Sequence, residues 1–225
     1  MRFSGLQKTS LIDFPGRISS ILFAPGCNLR CPYCYNWKIV VNPQPPFLKE
    51  DEALAILESR KKFIDSVVIT GGEPLIQDDA PRFIRKLKES GFAVKLDTNG
   101  FFPDRLRESL PYLDYIAVDV KTSPEKYRLL GAENIEQLLK TIKIVMGSGV
   151  DYEFRCTAVP GIIEEKDMEE IGKLVDGAKR FALQQFIPEN SLNEEYRRIK
   201  PYSENMIRKL AKTMEKYVKE VILRI

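Results

Sequence analysis

Three cysteines stand close together in the chain as a C-x3-C-x2-C run, at Cys27, Cys31 and Cys34. Thiolates are the usual protein ligands of iron–sulfur clusters. Three thiolates from one loop can bind three irons of a [4Fe-4S] cubane and leave the fourth iron free to bind a substrate. An open coordination position distinguishes a catalytic metal site from a structural one. The run therefore predicts a catalytic [4Fe-4S] cluster.

Two other interpretations of the cysteines remain open. A structural zinc site needs four ligands, but the chain has no histidine and its fourth cysteine, Cys156, lies far along the sequence. A redox pair of Cys31 and Cys34 would leave Cys27 without a role. Because Cys156 stands in an apolar stretch, we expect it to be a small buried thiol. Both alternatives explain less of the pattern than a cluster does.

A second motif, Thr-Gly-Gly-Glu-Pro, follows an apolar stretch and contains Gly71, Gly72 and Glu73. Paired glycines let the backbone approach a ligand closely because they carry no Cβ atom. The carboxylate of Glu73 can accept hydrogen bonds from an ammonium group. Taken alone, the motif is equally typical of a turn between a strand and a helix.

Polar residues also end two later apolar stretches. The Asp-Thr-Asn-Gly segment at 97–100 is typical of a tight turn, because Asn-Gly favours turns. Asp119 and Lys121 flank one apolar residue, so on a strand their side chains would point to the same side. A simple ion pair is the alternative for these two residues.

The elements around these motifs alternate between strand and helix. Apolar stretches predict strands over 18–23, 65–70, 93–97, 115–120, 152–158, 181–187 and, at the end, 220–225. Apolar residues at helical spacing predict helices over 49–61, 80–90, 103–110, 135–146, 167–179 and 204–218. Asp167 is the expected N-cap of its helix. Prolines between 43 and 46 exclude regular structure there.

Six successive β-then-α units predict parallel strands joined by right-handed crossovers. A complete eight-unit barrel typically needs about 250 residues, more than the 225 of this chain. We therefore predict an α/β fold: a partial (β/α)6 open TIM-like barrel with helices outside, as one domain over 1–225. A doubly wound sheet is the alternative. In both folds ligands bind at the carboxyl ends of the strands.

Composition excludes several classes of partner. The net charge is only +3, with 35 basic and 32 acidic residues, which is too small a bias to indicate nucleic-acid binding. There is no apolar run of about 18 residues that would span a bilayer, and the first residues do not form a signal peptide. We expect a cytoplasmic protein that contacts neither nucleic acid nor membrane.

Together the motifs resemble those of the radical S-adenosylmethionine (AdoMet) superfamily. The C-x3-C-x2-C run after the first strand and the GGEP motif one βα unit later match the superfamily. The later D-T-N-G and D-x-K segments resemble those of its glycyl-radical-enzyme activases. Within the superfamily, the sequence is most similar to glycyl-radical-enzyme activases of the anaerobic ribonucleoside-triphosphate reductase activating type. The resemblance extends over residues 10–190 and includes the lead-in at 10–16.

The resemblance implies a cofactor and a place for it. In this superfamily the amino and carboxylate groups of AdoMet chelate the open iron. An electron from the reduced cluster then cleaves AdoMet to methionine and a 5′-deoxyadenosyl radical, which abstracts a hydrogen atom. By resemblance Tyr33 meets the adenine, and the motif of Gly71, Gly72 and Glu73 binds the amino group.

Further roles are implied for the later motifs. The residues that the resemblance places along AdoMet and a monovalent cation are Asp97, Thr98, Asn99 and Asp119. Lys121 is expected to face the methionyl carboxylate, and Arg155 either faces it too or is a surface or ion-paired residue. Some activases place a histidine near the sixth strand. This chain has none, so that contact is lost or is replaced by Gln185 or Glu189.

The implied function is hydrogen abstraction from a glycine of a partner glycyl-radical enzyme, with anaerobic ribonucleotide reductase as the expected partner. A flavodoxin or ferredoxin is the expected electron donor. Two alternatives are kept. The first is a radical AdoMet enzyme that acts on a small molecule or another peptide. The second is a non-catalytic zinc-binding module.

Overall fold

Ten strands occur along the chain, and the computed structural model describes all 225 residues. The strands are Arg2–Phe3 (β1), Gly5–Ser10 (β2), Ser19–Ala24 (β3), Leu48–Lys49 (β4), Ser66–Gly71 (β5), Ala93–Thr98 (β6), Tyr115–Asp119 (β7), Asp151–Ala158 (β8), Arg180–Gln185 (β9) and Glu220–Arg224 (β10). Eight of them form one sheet, while β1 and β4 pair separately.

The order of the strands in the large sheet is β10-β9-β8-β7-β6-β5-β3-β2. From β3 to β10 every neighbouring pair is parallel. Each of these strands lies beside the strand of the same sheet that follows it in the chain. A doubly wound sheet would reverse direction partway through this order. The structure therefore confirms the partial (β/α)6 barrel. The barrel is open because β2 and β10 are its two unpaired edges.

Strand β2 was not predicted. It pairs antiparallel with β3, and three of its six residues are exposed. Its sequence, Gly-Leu-Gln-Lys-Thr-Ser, lacks the apolar run that marks the central strands, because an edge strand buries little of its surface.

Helices cover the outside of the sheet. They are Trp37–Val41 (α1), Glu50–Ser59 (α2), Ala80–Glu89 (α3), Pro103–Ser109 (α4), Glu136–Gly147 (α5), Glu165–Leu174 (α6), Glu194–Arg197 (α7) and Glu204–Met214 (α8). None of them combines the length and apolar composition that crossing a bilayer requires. All six predicted helices are present, and α1 and α7 are additional.

The prediction for the start of α6 was wrong. Its N-cap is Glu164, not Asp167, which occupies the third helical position. The Asp167 carboxylate accepts a hydrogen bond from the Glu164 amide at 2.9 Å, and so forms one half of a capping box. An acidic residue in the first turn satisfies free amides as a cap does, so sequence alone assigns the wrong position.

The inside of the barrel changes character along the strands. Near the amino ends of the strands, a small apolar cluster fills the barrel; its members are Phe14, Ile21, Val68 and Tyr115. Toward the carboxyl ends the inward-pointing residues become polar and charged, beginning with Lys95 on β6. The apolar cluster occupies the amino end of the barrel, so the polar residues toward the carboxyl ends form a site suited to a charged ligand.

Candidate active site

A cavity of about 650 Å³ lies at the carboxyl ends of the parallel strands. Pockets of about 300–1,000 Å³ are typical of small-molecule and cofactor sites. Of the thirteen site residues predicted from sequence, twelve line it: Cys27, Cys31, Tyr33, Cys34, Gly71, Gly72, Asp97, Thr98, Asn99, Asp119, Lys121 and Arg155. The structure thus brings together residues from four strands, β5 to β8, and one loop.

The three cysteines lie in the loop between β3 and α1. Cys31 is buried, whereas Cys27 and Cys34 are partly buried. The Cys27 sulfur accepts contacts from the Leu29 amide at 3.4 Å and from Asn99 Nδ2 at 3.5 Å. Burial raises the pKa of all three thiols, that of Cys31 to about 12. Thiolates at this position therefore need a strong positive partner such as iron.

The cysteine loop is fastened to a segment much later in the chain. The Asn193 amide donates to the Pro32 carbonyl at 2.8 Å, and Asn190 Nδ2 donates to the Tyr35 carbonyl at 2.8 Å. Both acceptors lie within or beside the C-x-x-C half of the run. The orientation of the loop is therefore fixed by residues that follow β9.

The cysteine loop lies directly against two glycines, Gly71 at the end of β5 and Gly72 after it. The Gly72 amide donates to the Ala24 carbonyl at 2.8 Å, and a Cβ atom on Gly72 would lie 1.9 Å from the Gly26 carbonyl oxygen. Gly71 has φ of +111°, a conformation that only glycine adopts readily. These glycines are required so that two backbone segments can touch at the cavity wall.

Glu73 is the one predicted site residue that does not line the cavity. It is fully buried behind the wall. Its carboxylate accepts from the Leu75 amide at 3.0 Å, from Thr98 Oγ1 at 2.8 Å and from the Asn99 amide at 2.6 Å. Glu73 thus joins the glycine motif to the end of β6. Burial raises the pKa of Glu73 to about 7, and the three donors offset only part of that effect.

This raised pKa predicts a pH-dependent stability. The folded protein binds a proton at Glu73 more tightly than the unfolded chain does. The stabilising contribution of the protonated Glu73 to the free energy of unfolding is therefore present below about pH 4.5 and is lost as the pH rises through about 7. Relative to Glu73→Gln, the unfolding free energy of the wild type should fall by about 2.5 kcal/mol between about pH 5 and about pH 8. Urea unfolding of the iron-free protein measures it.

The exposed Glu58, which lies outside the cavity, supplies the matched control. Glu58→Gln makes the same change from carboxyl to amide at the surface and shows what the substitution does without burial. A difference between wild type and Glu73→Gln that stays constant over this pH range would show that Glu73 does not titrate in the window.

A chain of five alternating charges lies at the bottom of the cavity, and four of its members line the cavity. Lys95 Nζ lies 2.5 Å from Asp97 Oδ1, and Arg155 Nη1 lies 2.9 Å from Asp97 Oδ2. Arg155 Nε lies 2.8 Å from Asp119 Oδ1, and Lys121 Nζ lies 3.1 Å from Asp119 Oδ2. Burial raises the pKa of both carboxyls, but the guanidinium of Arg155 and the neighbouring ammonium groups outweigh it and hold each below its usual range.

Arg155 therefore forms ion pairs, one of the two outcomes expected for it, while it also lines the cavity. Lys95 and Asn28 were missed from sequence. Asn28 Oδ1 accepts from Asn99 Nδ2 at 2.8 Å, which links the cysteine loop to the end of β6. Lys95 stands two residues before Asp97 on one strand, and this spacing alone places both on the same face.

Comparison with known protein families identifies the chain. Residues 21–176 match the model of the radical SAM superfamily. The chain belongs to that superfamily. The matched region starts on β3, includes the cysteine loop and ends just beyond α6.

Relatives among curated proteins are similar over nearly their full length. A protein of Methanocaldococcus jannaschii provisionally named a glycyl-radical enzyme activating enzyme is 36% identical over 98% of this chain and 95% of its own. The pyruvate formate-lyase-activating enzyme of Clostridium pasteurianum is 27% identical over 98% of both chains. The curated proteins that are similar to this chain therefore include activating enzymes.

Solved structures share the fold. SuiB of Streptococcus suis superposes with a TM-score of 0.64 at 16% identity over 90% of this chain. An archaeal TYW1 superposes with a TM-score of 0.61 at 16% identity over 89% of this chain. The chain spans about half the length of SuiB, 47%, and 72% of TYW1. At these identities the likeness extends to the fold alone.

The radical SAM superfamily implies a [4Fe-4S] cluster and AdoMet, and the residues present fit both groups. The three thiols line one cavity, while no three His, Cys, Asp or Glu side chains are arranged to hold a single ion. A cubane is wider than an ion and is held at separate corners. Two buried polar atoms in the cavity lining, Tyr33 Oη and Gln185 Oε1, have no hydrogen-bond partner in the protein. A polar ligand would satisfy them.

Of Gln185 and Glu189, the two candidates to replace the histidine of some activases, only Gln185 lines the cavity. Gln185 lies at the end of β9 and lines the cavity, whereas Glu189 is exposed outside it. The fourth cysteine, Cys156, is buried in the core as expected, with 2% of its surface exposed.

Proposed function

We propose that this radical SAM enzyme is a glycyl-radical-enzyme activase. The structural feature that supports this proposal is the mouth of the cavity. Three exposed apolar residues, Ile12, Tyr35 and Ile187, line the cavity and also face solvent. Exposed apolar groups that border a polar site are typical of a protein-binding surface. The activating enzymes among the relatives support the same conclusion.

In this proposal the cluster and AdoMet, when bound, supply reductive cleavage of AdoMet to methionine and a 5′-deoxyadenosyl radical. The chain supplies ligands and orientation. Cys27, Cys31 and Cys34 hold the cluster. The positive groups of Lys121 and Arg155 lie on the cavity floor, where they attract the methionyl carboxylate.

The other predicted residues shape the site. Tyr33 contacts Phe186 edge to face, with ring centroids 6.5 Å apart, and this fixes its ring beside the cavity for the adenine. Glu73 holds Thr98 and Asn99 in place from behind. We assign the AdoMet amino group to the wall that Gly71 and Gly72 form.

The substrate in the proposal is a glycine in a loop of a partner enzyme. Anaerobic ribonucleotide reductase is the partner that the sequence motifs indicate, and a relative named for pyruvate formate-lyase makes that enzyme the second to assay. A reduced flavodoxin or ferredoxin would supply the electron. The motifs also imply a monovalent cation. Both carboxylates at the bottom of the cavity, Asp97 and Asp119, are already in ion pairs with basic side chains.

The test is anaerobic incubation of the reconstituted, reduced protein with AdoMet and each partner. We expect the doublet of a glycyl radical in the electron paramagnetic resonance spectrum with at least one of them. Deoxyadenosine formation that needs a metabolite and no protein would instead favour a small-molecule substrate. A zinc-containing, colourless protein would contradict radical chemistry altogether.

The apolar rim gives a sharper prediction. Ile12→Glu places a charge at the mouth, so we expect a tenfold or greater loss of glycyl radical, on the order of the penalty for burying an unpaired charge in an interface. AdoMet cleavage without partner should be unchanged. Phe63→Glu is the control, because Phe63 is 66% exposed and does not line the cavity. Equal losses in both variants would exclude docking at the rim.

A further inference from the structure

The two carboxylates on the cavity floor have no free oxygen. Asp97 is bound by Lys95 through Oδ1 and by Arg155 through Oδ2, and Asp119 is bound by Arg155 through Oδ1 and by Lys121 through Oδ2. Each contact is between 2.5 and 3.1 Å long. A monovalent cation bound to any of these oxygens would lie beside an ammonium or guanidinium group and be repelled by it.

The next buried carboxylate along β8 is also paired. Glu153, the buried acidic residue next along β8, is bound by both terminal nitrogens of Arg224, at 2.9 and 2.7 Å. The residues present therefore do not fit the monovalent cation that the D-T-N-G and D-x-K motifs imply.

Lys95 is the member of the network that has no contact with the cavity. Its side chain is 3% exposed and does not line the cavity, and its ammonium also lies 5.9 Å from the centre of the Tyr115 ring. Burial removes the hydration of an ammonium group, and a neighbouring carboxylate offsets that desolvation cost. Asp97 is the carboxylate that does so here.

The charge of the network shows what Lys95 contributes. Lys95, Arg155 and Lys121 carry three positive charges against two on Asp97 and Asp119, a net charge of +1. A methionyl carboxylate beside Lys121 and Arg155 would bring the site to neutrality. Without Lys95 the network would be neutral before the carboxylate binds, and a cation would then be needed to balance it.

We propose that the ammonium of Lys95 takes the place of a bound monovalent cation, so that AdoMet binding by this enzyme does not depend on Na⁺ or K⁺. The inference rests on the proposed placement of the methionyl carboxylate, but it does not depend on which partner carries the glycine. Lys95 acts through Asp97 and Arg155, and is a positioning residue.

The wild-type protein provides the first measurement. AdoMet binding to the reconstituted enzyme is titrated calorimetrically without oxygen in KCl, NaCl and choline chloride of equal ionic strength. We expect the three dissociation constants to agree within about twofold, since screening depends on ionic strength and not on the ion. Binding that is tenfold weaker in choline than in K⁺ would overturn the proposal.

The second measurement uses Lys95→Ala, which leaves room for an ion. In choline chloride we expect AdoMet binding at least about tenfold weaker, because the network without Lys95 is neutral and no longer balances the charge of the methionyl carboxylate. K⁺ or Na⁺ should restore it saturably. An equal weakening in all three salts would mean that Lys95 has only a structural role, and would overturn the proposal.

A readout without AdoMet separates ion binding from catalysis. The thermal midpoint of Lys95→Ala should rise with K⁺ relative to choline, whereas that of the wild type should not. Lys126→Ala is the matched control, since Lys126 forms a 2.7 Å ion pair with the buried Asp167 and does not line the cavity. It should lose stability equally in every salt. A failed glycyl-radical assay would leave these results unaffected.

Discussion

Alanine at any one of Cys27, Cys31 and Cys34 is expected to reduce 5′-deoxyadenosine formation to the level without enzyme. In the proposed site each thiolate holds one iron of the cluster, and two ligands would leave the cubane incomplete. The three side chains line one cavity and no other cysteine does, so nothing replaces a lost ligand. Chromatography of the nucleoside products and iron analysis after anaerobic reconstitution measure the effect.

Cys156→Ala is the matched control, because Cys156 is buried in the core and lies outside the cavity. It should keep the iron content and the AdoMet cleavage of the wild type. If Cys156→Ala lost the cluster while one of the loop variants kept it, the assignment of ligands would be wrong. Zinc instead of iron in the wild type would remove the basis of the proposed function.

Gly72→Ala should have the second-largest effect. The new Cβ atom would lie 1.9 Å from the Gly26 carbonyl oxygen and 2.8 Å from the Gly26 carbonyl carbon. Both are backbone atoms, so relief requires the cysteine loop or the end of β5 to move. We expect a destabilisation of more than about 3 kcal/mol and loss of the cluster. Urea unfolding and iron content test the two effects separately.

Gly147→Ala is a control of the same chemistry. Gly147 ends α5 with no atom within 4 Å of the added Cβ and no positive φ. Alanine there should stabilise the protein by about 0.4–1 kcal/mol, because it restricts the unfolded chain. A harmless Gly72→Ala would mean that the loop and the strand do not meet as closely as the structure shows.

The fold was predictable where burial makes the pattern strong. β5, Ser66–Gly71, is covered on both faces and reads as an apolar run in the sequence. β2 was missed because half of its residues are exposed. The sequential strand order, which separates a barrel from a doubly wound sheet, depends on contacts between distant segments and is not encoded in any local pattern.

The site was predictable wherever a residue stands at a strand end or in the cysteine loop. Twelve predicted residues line one cavity because parallel strands place their carboxyl ends at one edge. The position of Glu73 behind the wall was not predictable, since it depends on the Thr98 and Asn99 donors that surround it. Lys95 could have been found from its spacing to Asp97, but an isolated lysine in a strand carries no motif.

The hydrogen bonds from Asn190 and Asn193 to the cysteine loop have a consequence for biosynthesis. Pro32 and Tyr35 leave the ribosome early, but their partners emerge only after β9 has been made. The loop therefore cannot reach its final conformation during most of translation. We therefore expect the cluster to be inserted only after β9 has been made, and the nascent chain to hold its thiols in a less ordered loop.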